Sequence, residues 1–383
     1  MIRRIARLSS VVVLALAGAP NLLGADVRPE ERLLRAHVET LSSPRFLGRK
    51  GEGGRLAAEY LVDQFRKLAL EPLFDGDFRQ EIPGKNPGEP IGRNVGGLLR
   101  GNDPTLENEA IILSAHFDHL GVRGGRLYPG ADDNASGVAM MLEVARSLVE
   151  GQERPRRSVM FIGFDLEEDG LFGSRYFIEH PPVPLSNVRL FLTADMIGRA
   201  LGGVCDPYVF VMGTEHAPAL RPWVEEAARG KAVTVGLLGS DLLLIDRSDY
   251  GPFRTRKIPY LFFSTGENPA YHATTDVAET LNYPKLEAIS RTILDFVRQA
   301  SSAESLPGWS VQPDNPLAEA ETVRTVLRML LEHREKLAIG SPQVFIMNNT
   351  LRSLDAIMER GVITPEERTG MVRAARIILL SIF

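Results

Sequence analysis

Short apolar runs alternate with amphipathic stretches through most of the chain, and this alternation limits the fold more than any other feature. Asn94–Leu99, Ala110–Ser114, Ser158–Asp165, Val188–Ala194, Tyr208–Met212 and Ile258–Phe263 are rich in branched and aromatic residues and short enough for buried strands. Glu31–Leu41, the stripe Ala58, Leu61, Val62, Phe65 and Leu68, and Val138–Val149 have helical spacing. So do the stretches from about Leu171 to Glu179, Pro218 to Ala228 and Leu286 to Val297. Asp75–Pro90 is turn-rich and reads as a loop or edge hairpin. Strands alternating with helices in this way predict an α/β three-layer sandwich around a mixed, largely parallel central sheet.

Charged and imidazole side chains collect just after the apolar runs. Ile111–Ala115 leads into His116-Phe-Asp118-His119, and Pro129-Gly-Ala-Asp132-Asp133-Asn134-Ala-Ser136-Gly137 precedes a helix. Asp165-Leu-Glu167-Glu168-Asp169, Asp195-Met-Ile-Gly198 and Tyr271-His272 follow later runs. In an open α/β sheet the carboxyl ends of the strands are where ligands bind. His116, Asp133, Glu168, Asp195 and His272 offer imidazole nitrogen and carboxylate oxygen, the common ligands of zinc. They are too many for one open tetrahedral site and suit two metals that share a bridging carboxylate.

The blocks Ser114–His119, Pro129–Gly137, Asp165–Ser174, Ala194–Arg199 and Tyr271–His272 occur in order and resemble the signature of metallopeptidase family 28, the co-catalytic di-zinc aminopeptidases. The resemblance covers roughly residues 30 to 300. It implies a zinc-peptidase fold and two zinc ions, His116 and Asp195 holding one, Glu168 and His272 the other, with Asp133 between them. Asp118 would hydrogen-bond the second nitrogen of His116 and set its tautomer. Glu167 would be the general base, a role that a carboxylate beside two dications also suits on chemical grounds. Tyr271 would donate to the oxyanion, and a cis peptide is expected after Asp133. Asp132 is expected not to be a ligand, and His119 to support the site or lie in a loop. His37, His180, His216 and His333 read as structural or exposed. Ser248-Asp249-Tyr250-Gly-Pro-Phe253 departs from the family pattern in having tyrosine where histidine is frequent, which bears on substrate preference rather than on the metals.

The function implied is a secreted zinc-dependent exopeptidase, an aminopeptidase acting on peptide or protein N-termini. The short spacings between blocks leave little room for a large lid, and residues 70 to 110 have no room for an inserted protease-associated domain. A carboxypeptidase, a glutaminyl cyclase and a non-catalytic binding module on the same fold are the alternatives. Cyclases use one zinc, and a binding module would have lost ligands that are all present here.

The rest of the sequence sets limits. A net charge of −5 and the lack of a basic stripe argue against a nucleic-acid partner. Arg3, Arg4 and Arg7, then an apolar stretch from Val11 and the small residues before Asp26, read as a signal peptide over residues 1–25. Export to the periplasm or medium follows, with no membrane span in the mature chain, since a span needs about 20 apolar residues. The lone Cys205 excludes an internal disulfide. The peptidase domain is expected over residues 26–300, and a linker with helices over 301–383. There Val323, Val326, Leu327, Leu330 and Leu331 make one stripe and Leu351, Leu354, Ile357 and Met358 another, closed by Gly361. Thr364-Pro365-Glu366-Glu367 is a capping box. Nothing in the sequence indicates an oligomeric state.

Overall fold

In the computed structural model, which describes residues 26–86, 88–243, 245–311 and 316–382, the centre of the sheet is four adjacent parallel strands. They are β7 (Ser158–Phe164), β4 (Ala110–His116), β8 (Val188–Ala194) and β11 (Tyr260–Ser264). On one side, β3 (Pro90–Leu99) pairs antiparallel with β7 and carries β1 (Glu71–Pro72) and β2 (Arg79–Pro83). On the other, β9 (Tyr208–Met212) runs antiparallel to β11 and parallel to β10 (Thr234–Leu238). A separate hairpin joins β5 (Val122–Arg123) to β6 (Arg126–Leu127). The turn-rich stretch before β3 thus holds an edge strand. The short strand at Thr234–Leu238 and the helix at Tyr250–Thr255 have no counterpart in the sequence reading.

Strand side chains divide between two cores by strict alternation. In β4, Ile111, Leu113 and Ala115 enter one core while Ala110 and Ile112 enter the other. Both faces are covered, which explains why these strands read as unbroken apolar runs instead of alternating ones. The first core is closed by α1 (Glu31–Leu41), α2 (Glu52–Lys67), α3 (Gly137–Val149), α5 (Arg221–Ala228) and α7 (Tyr283–Ser302). The second lies under α4 (Phe172–Glu179), α6 (Tyr250–Thr255), α8 (Pro316–Glu332), α9 (Ser341–Arg360) and α10 (Pro365–Ile382).

The three C-terminal helices are built into the second core. Ala320, Val323, Leu327 and Leu330 of α8 are buried with Phe210 and Met212 of β9 and Leu238 of β10. Glu319, fully buried, accepts the Gly239 amide and pairs with Arg368 of α10, which also pairs with Asp241. Gly361, left-handed at φ 72°, ends α9 and donates its amide to Ile357 O. The capping box forms reciprocally, Thr364 N donating to Glu367 Oε2 at 2.9 Å and Glu367 N to Thr364 Oγ1 at 3.2 Å. Among the described residues no helix is long and apolar enough to cross a membrane. The signal peptide and part of the linker lie outside the described residues.

Arg368→Ala leaves Glu319 buried without its counter-charge. The expected loss is about 3 kcal/mol in urea unfolding at neutral pH. Burial already holds the Glu319 carboxyl above its usual range, so an acid titration should shrink the deficit as Glu319 takes up a proton. An unchanged unfolding midpoint would show that the clamp adds nothing.

Candidate active site

The side chains singled out above converge at the carboxyl edge of the parallel strands. His116 is the last residue of β4, Glu167 and Glu168 follow β7, and Asp195 directly follows β8. Asp133 lies just before α3, and His272 in the segment after β11. The two oxygens of Asp133 face different imidazoles: Oδ1 is 3.4 Å from His116 Nε2, and Oδ2 is 3.2 Å from His272 Nε2. His116 Nε2 is also 3.3 Å from Asp195 Oδ1, and His272 Nε2 is 3.2 Å from Glu168 Oε2. Glu167 completes a group with His116 and Asp195 whose ligand atoms all lie within 4.8 Å of one another.

Asp118 sits behind this edge. Its Oδ1 is 3.5 Å from His116 Nδ1, farther than the 3.0 Å and 3.2 Å at which its carboxylate accepts the amides of Glu167 and Glu168. It therefore anchors the backbone of the acidic pair more closely than it does the imidazole. Tyr271 lines the same cleft, its ring stacked on His272 with centroids 3.9 Å apart. Leu166, Met196 and His272 have left-handed backbones, strain on the order of 1 kcal/mol each that the surrounding packing must hold.

The loop carrying Asp133 is gripped from both sides. Arg49, fully buried, spends its guanidinium donors on carbonyls: Nε on Phe117 O, Nη1 on Leu41 O and Pro129 O, Nη2 on Gly130 O and Asp133 O. Burial pulls its pKa down, and the Asp133 and Asp276 carboxylates favour its charge. Asp276, itself paired with Arg199 at 3.1 Å, accepts the amides of Asp132 and Asp133. Asn134 bonds Ala194 O and accepts the amides of Gly137 and Met196, tying the loop to the end of β8. Gly137 permits this approach, because a Cβ there would lie 2.4 Å from Ala194 O. The Asp133–Asn134 peptide is cis. Asp132 turns away, taking the Gly198 amide on Oδ1 and the Asn268 amide group on Oδ2.

This crowd of acids is short of positive charge. Burial raises the Glu167 carboxyl well above its ordinary range, and burial likewise raises Asp133. Burial opposes charge on His116, yet Asp195 and Glu167 lift it well above 6.5. His272 rises to about 9, burial being outweighed by Asp133 and Glu168. Burial also penalises a charged Glu168, but hydrogen bonds from His119 and His272 hold it low. Asp133 Oδ2, shut off from solvent, accepts no hydrogen bond of good geometry. An oxygen- and nitrogen-rich cleft with such an orphaned acceptor fits divalent cations, which would replace the protons these groups otherwise compete for.

His119 belongs closer to this centre than a loop residue would. It is fully buried, with Nδ1 2.8 Å from Glu168 Oε1, and forms with Asp133 and Glu168 a second group able to hold a cation. Arg49 and Asp276 carry no sequence signal that sets them apart from other charged residues. Asp249, fully buried and lifted to about 7 by its burial, lies close enough to feel His116. It stands beside Tyr250, in the segment where the departure from the family pattern was seen.

The model of Peptidase family M28 matches residues 94–297, more than half of the chain. Aminopeptidase YwaD of Bacillus subtilis is 27% identical over 206 residues, 52% of this chain and 43% of its own length. The chain thus spans less than half of that relative. Among solved structures, BSAP, a zinc aminopeptidase from Bacillus subtilis, superposes with a TM-score of 0.58 at 16% identity, covering 73% of this chain and 97% of that one. A glutaminyl cyclase of Bacteroides thetaiotaomicron bound to N-acetylhistamine superposes with a TM-score of 0.56 at 20% identity, covering 71% and 98%. At these identities the two structures establish the shared fold alone.

Arg49→Lys removes the planar fork and leaves buried carbonyls without donors, at about 1–3 kcal/mol for each orphaned group. The variant should lose at least about 3 kcal/mol in urea unfolding and release added zinc more readily to a chelator. Wild-type stability and zinc retention would contradict the role given to Arg49.

Proposed function

The chain belongs to peptidase family M28, and on that footing we propose that it is an exported zinc-dependent aminopeptidase that removes residues from peptide N-termini. The observation that carries this reading is Asp133, whose oxygens face His116 and His272 separately while Glu167 stands beside the pair. His116 and Asp195 would hold one zinc ion, Glu168 and His272 the other, and Asp133 both. Export rests on the N-terminal sequence pattern.

When bound, the ions would polarise the scissile carbonyl and lower the pKa of the attacking water. Glu167, half-buried at the cleft, takes the proton from that water and returns it to the departing amine. Asp118 holds Glu167 for this by accepting its amide. The Tyr271 phenol, kept protonated chiefly by burial, is a donor for the developing oxyanion. His119 steadies Glu168 through its 2.8 Å contact.

Leucine p-nitroanilide should be hydrolysed only with its amine free, and the N-acetylated form left intact. Cleavage of the blocked form alone would reject the aminopeptidase. Glu167→Gln should lower kcat by about 10²–10⁴ while zinc content holds, and an unchanged rate would remove Glu167 from the mechanism. A peptide beginning with glutamine separates the cyclase reading: loss of ammonia without release of the first residue would favour it.

A further inference from the structure

A cavity of about 310 Å³ opens off the acidic cluster, at the lower end of the range for small-molecule sites. Asp133, Glu167, Glu168, Asp195 and His272 line one end. Past them the wall is mostly apolar: Met196, Met212 and Phe262 come from the sheet side, and Val326, Leu330 and Leu379 from α8 and α10. Those two helices lie wholly beyond residue 297, where the family match stops. We infer that the C-terminal helices are the specificity element of this site, closing a chamber that takes a long or aromatic apolar side chain on the first residue of the substrate. This rests on the aminopeptidase reading.

Four features support that occupant. The chamber is continuous with the reaction centre, so whatever fills it is attached to the group being cleaved. Its far wall is fixed, because Leu330 and Ile378 are core residues and Arg368 clamps α10 to Glu319 of α8 and to Asp241. The cations along it are already engaged: Arg376 bonds Asp241 O and Leu242 O, and Arg247 pairs with Glu267. Among the described residues, the rest of that wall is mostly apolar and favours an apolar side chain. At the lip, Ile245 and Leu380 are 68% and 70% exposed, which makes the entrance apolar too.

The test compares p-nitroanilides of alanine, leucine and 2-aminooctanoic acid. For the wild type, kcat/KM should rise along that series by about fourfold per buried methylene until the chamber is full. Val326→Trp and, separately, Leu379→Trp fill it from half-buried wall positions. Each should cut the aminooctanoyl-to-alanyl ratio at least tenfold. Val326→Phe reads the same ratio if a tryptophan variant fails to fold by circular dichroism. Metal-stripped protein should bind n-octylamine at least tenfold more tightly than ethylamine, a preference both variants lose. Folded variants that keep the wild-type ratio, or a wild type that prefers alanine, would overturn the inference. No turnover of any free-amine anilide with the octylamine preference intact would reject the aminopeptidase reading and leave the chamber standing.

Discussion

Glu167, Glu168, Asp133 and Asp195 share one cleft with His116, His119 and His272, and their mutual repulsion is the constraint the rest of the structure answers. Like charges 4 Å apart repel by about 4 kcal/mol at an effective dielectric constant of 20. Placed that close at a sheet edge, they stay together only if the backbone is held firmly and positive charge is supplied. The framework supplies the first. Arg49 takes the carbonyls of the Asp133 loop, Asp276 takes its amides, Asn134 stitches it to β8, and Asp118 holds the amides of Glu167 and Glu168. Protons supply the second in part, as the raised Glu167 and Asp133 carboxyls record. Divalent cations are the fuller answer.

The strands that deliver these residues were legible because both faces of the sheet are covered, so each central strand is a continuous apolar run. His116, Glu167, Glu168 and Asp195 were legible because each closely follows such a run, whereas Asp133 stands before α3 and His272 well past the end of β11. Val188–Ala194 and Tyr208–Met212 appear with the ends read from sequence. β10 escaped because Thr-Val-Gly-Leu-Leu is a short edge strand interrupted by glycine. α6 escaped because Tyr-Gly-Pro-Phe contains two residues that normally break helices and is held by tertiary burial of Tyr250 and Phe253.

The supporting residues were hidden for a different reason. Arg49 and Asp276 act through backbone atoms of segments distant in sequence, and no local spacing announces such contacts. His119 is adjacent to Asp118, yet only the fold reveals that its ring reaches Glu168. The C-terminal helices showed clear periodicity and a capping box, so their existence was readable. Their share in the second core and in the wall of the cleft was not, because one stripe of Val and Leu serves for packing and for lining a cavity alike. A segment outside the family match therefore lines the space next to the residues that carry the family resemblance.

We propose that the cleft is built for two cations astride Asp133. Anomalous diffraction at the zinc absorption edge, from crystals grown with zinc, tests it directly. Two peaks are predicted, one contacting His116 and Asp195 and the other Glu168 and His272, both within ligand distance of Asp133. A single peak, or peaks only elsewhere on the molecule, would contradict the account.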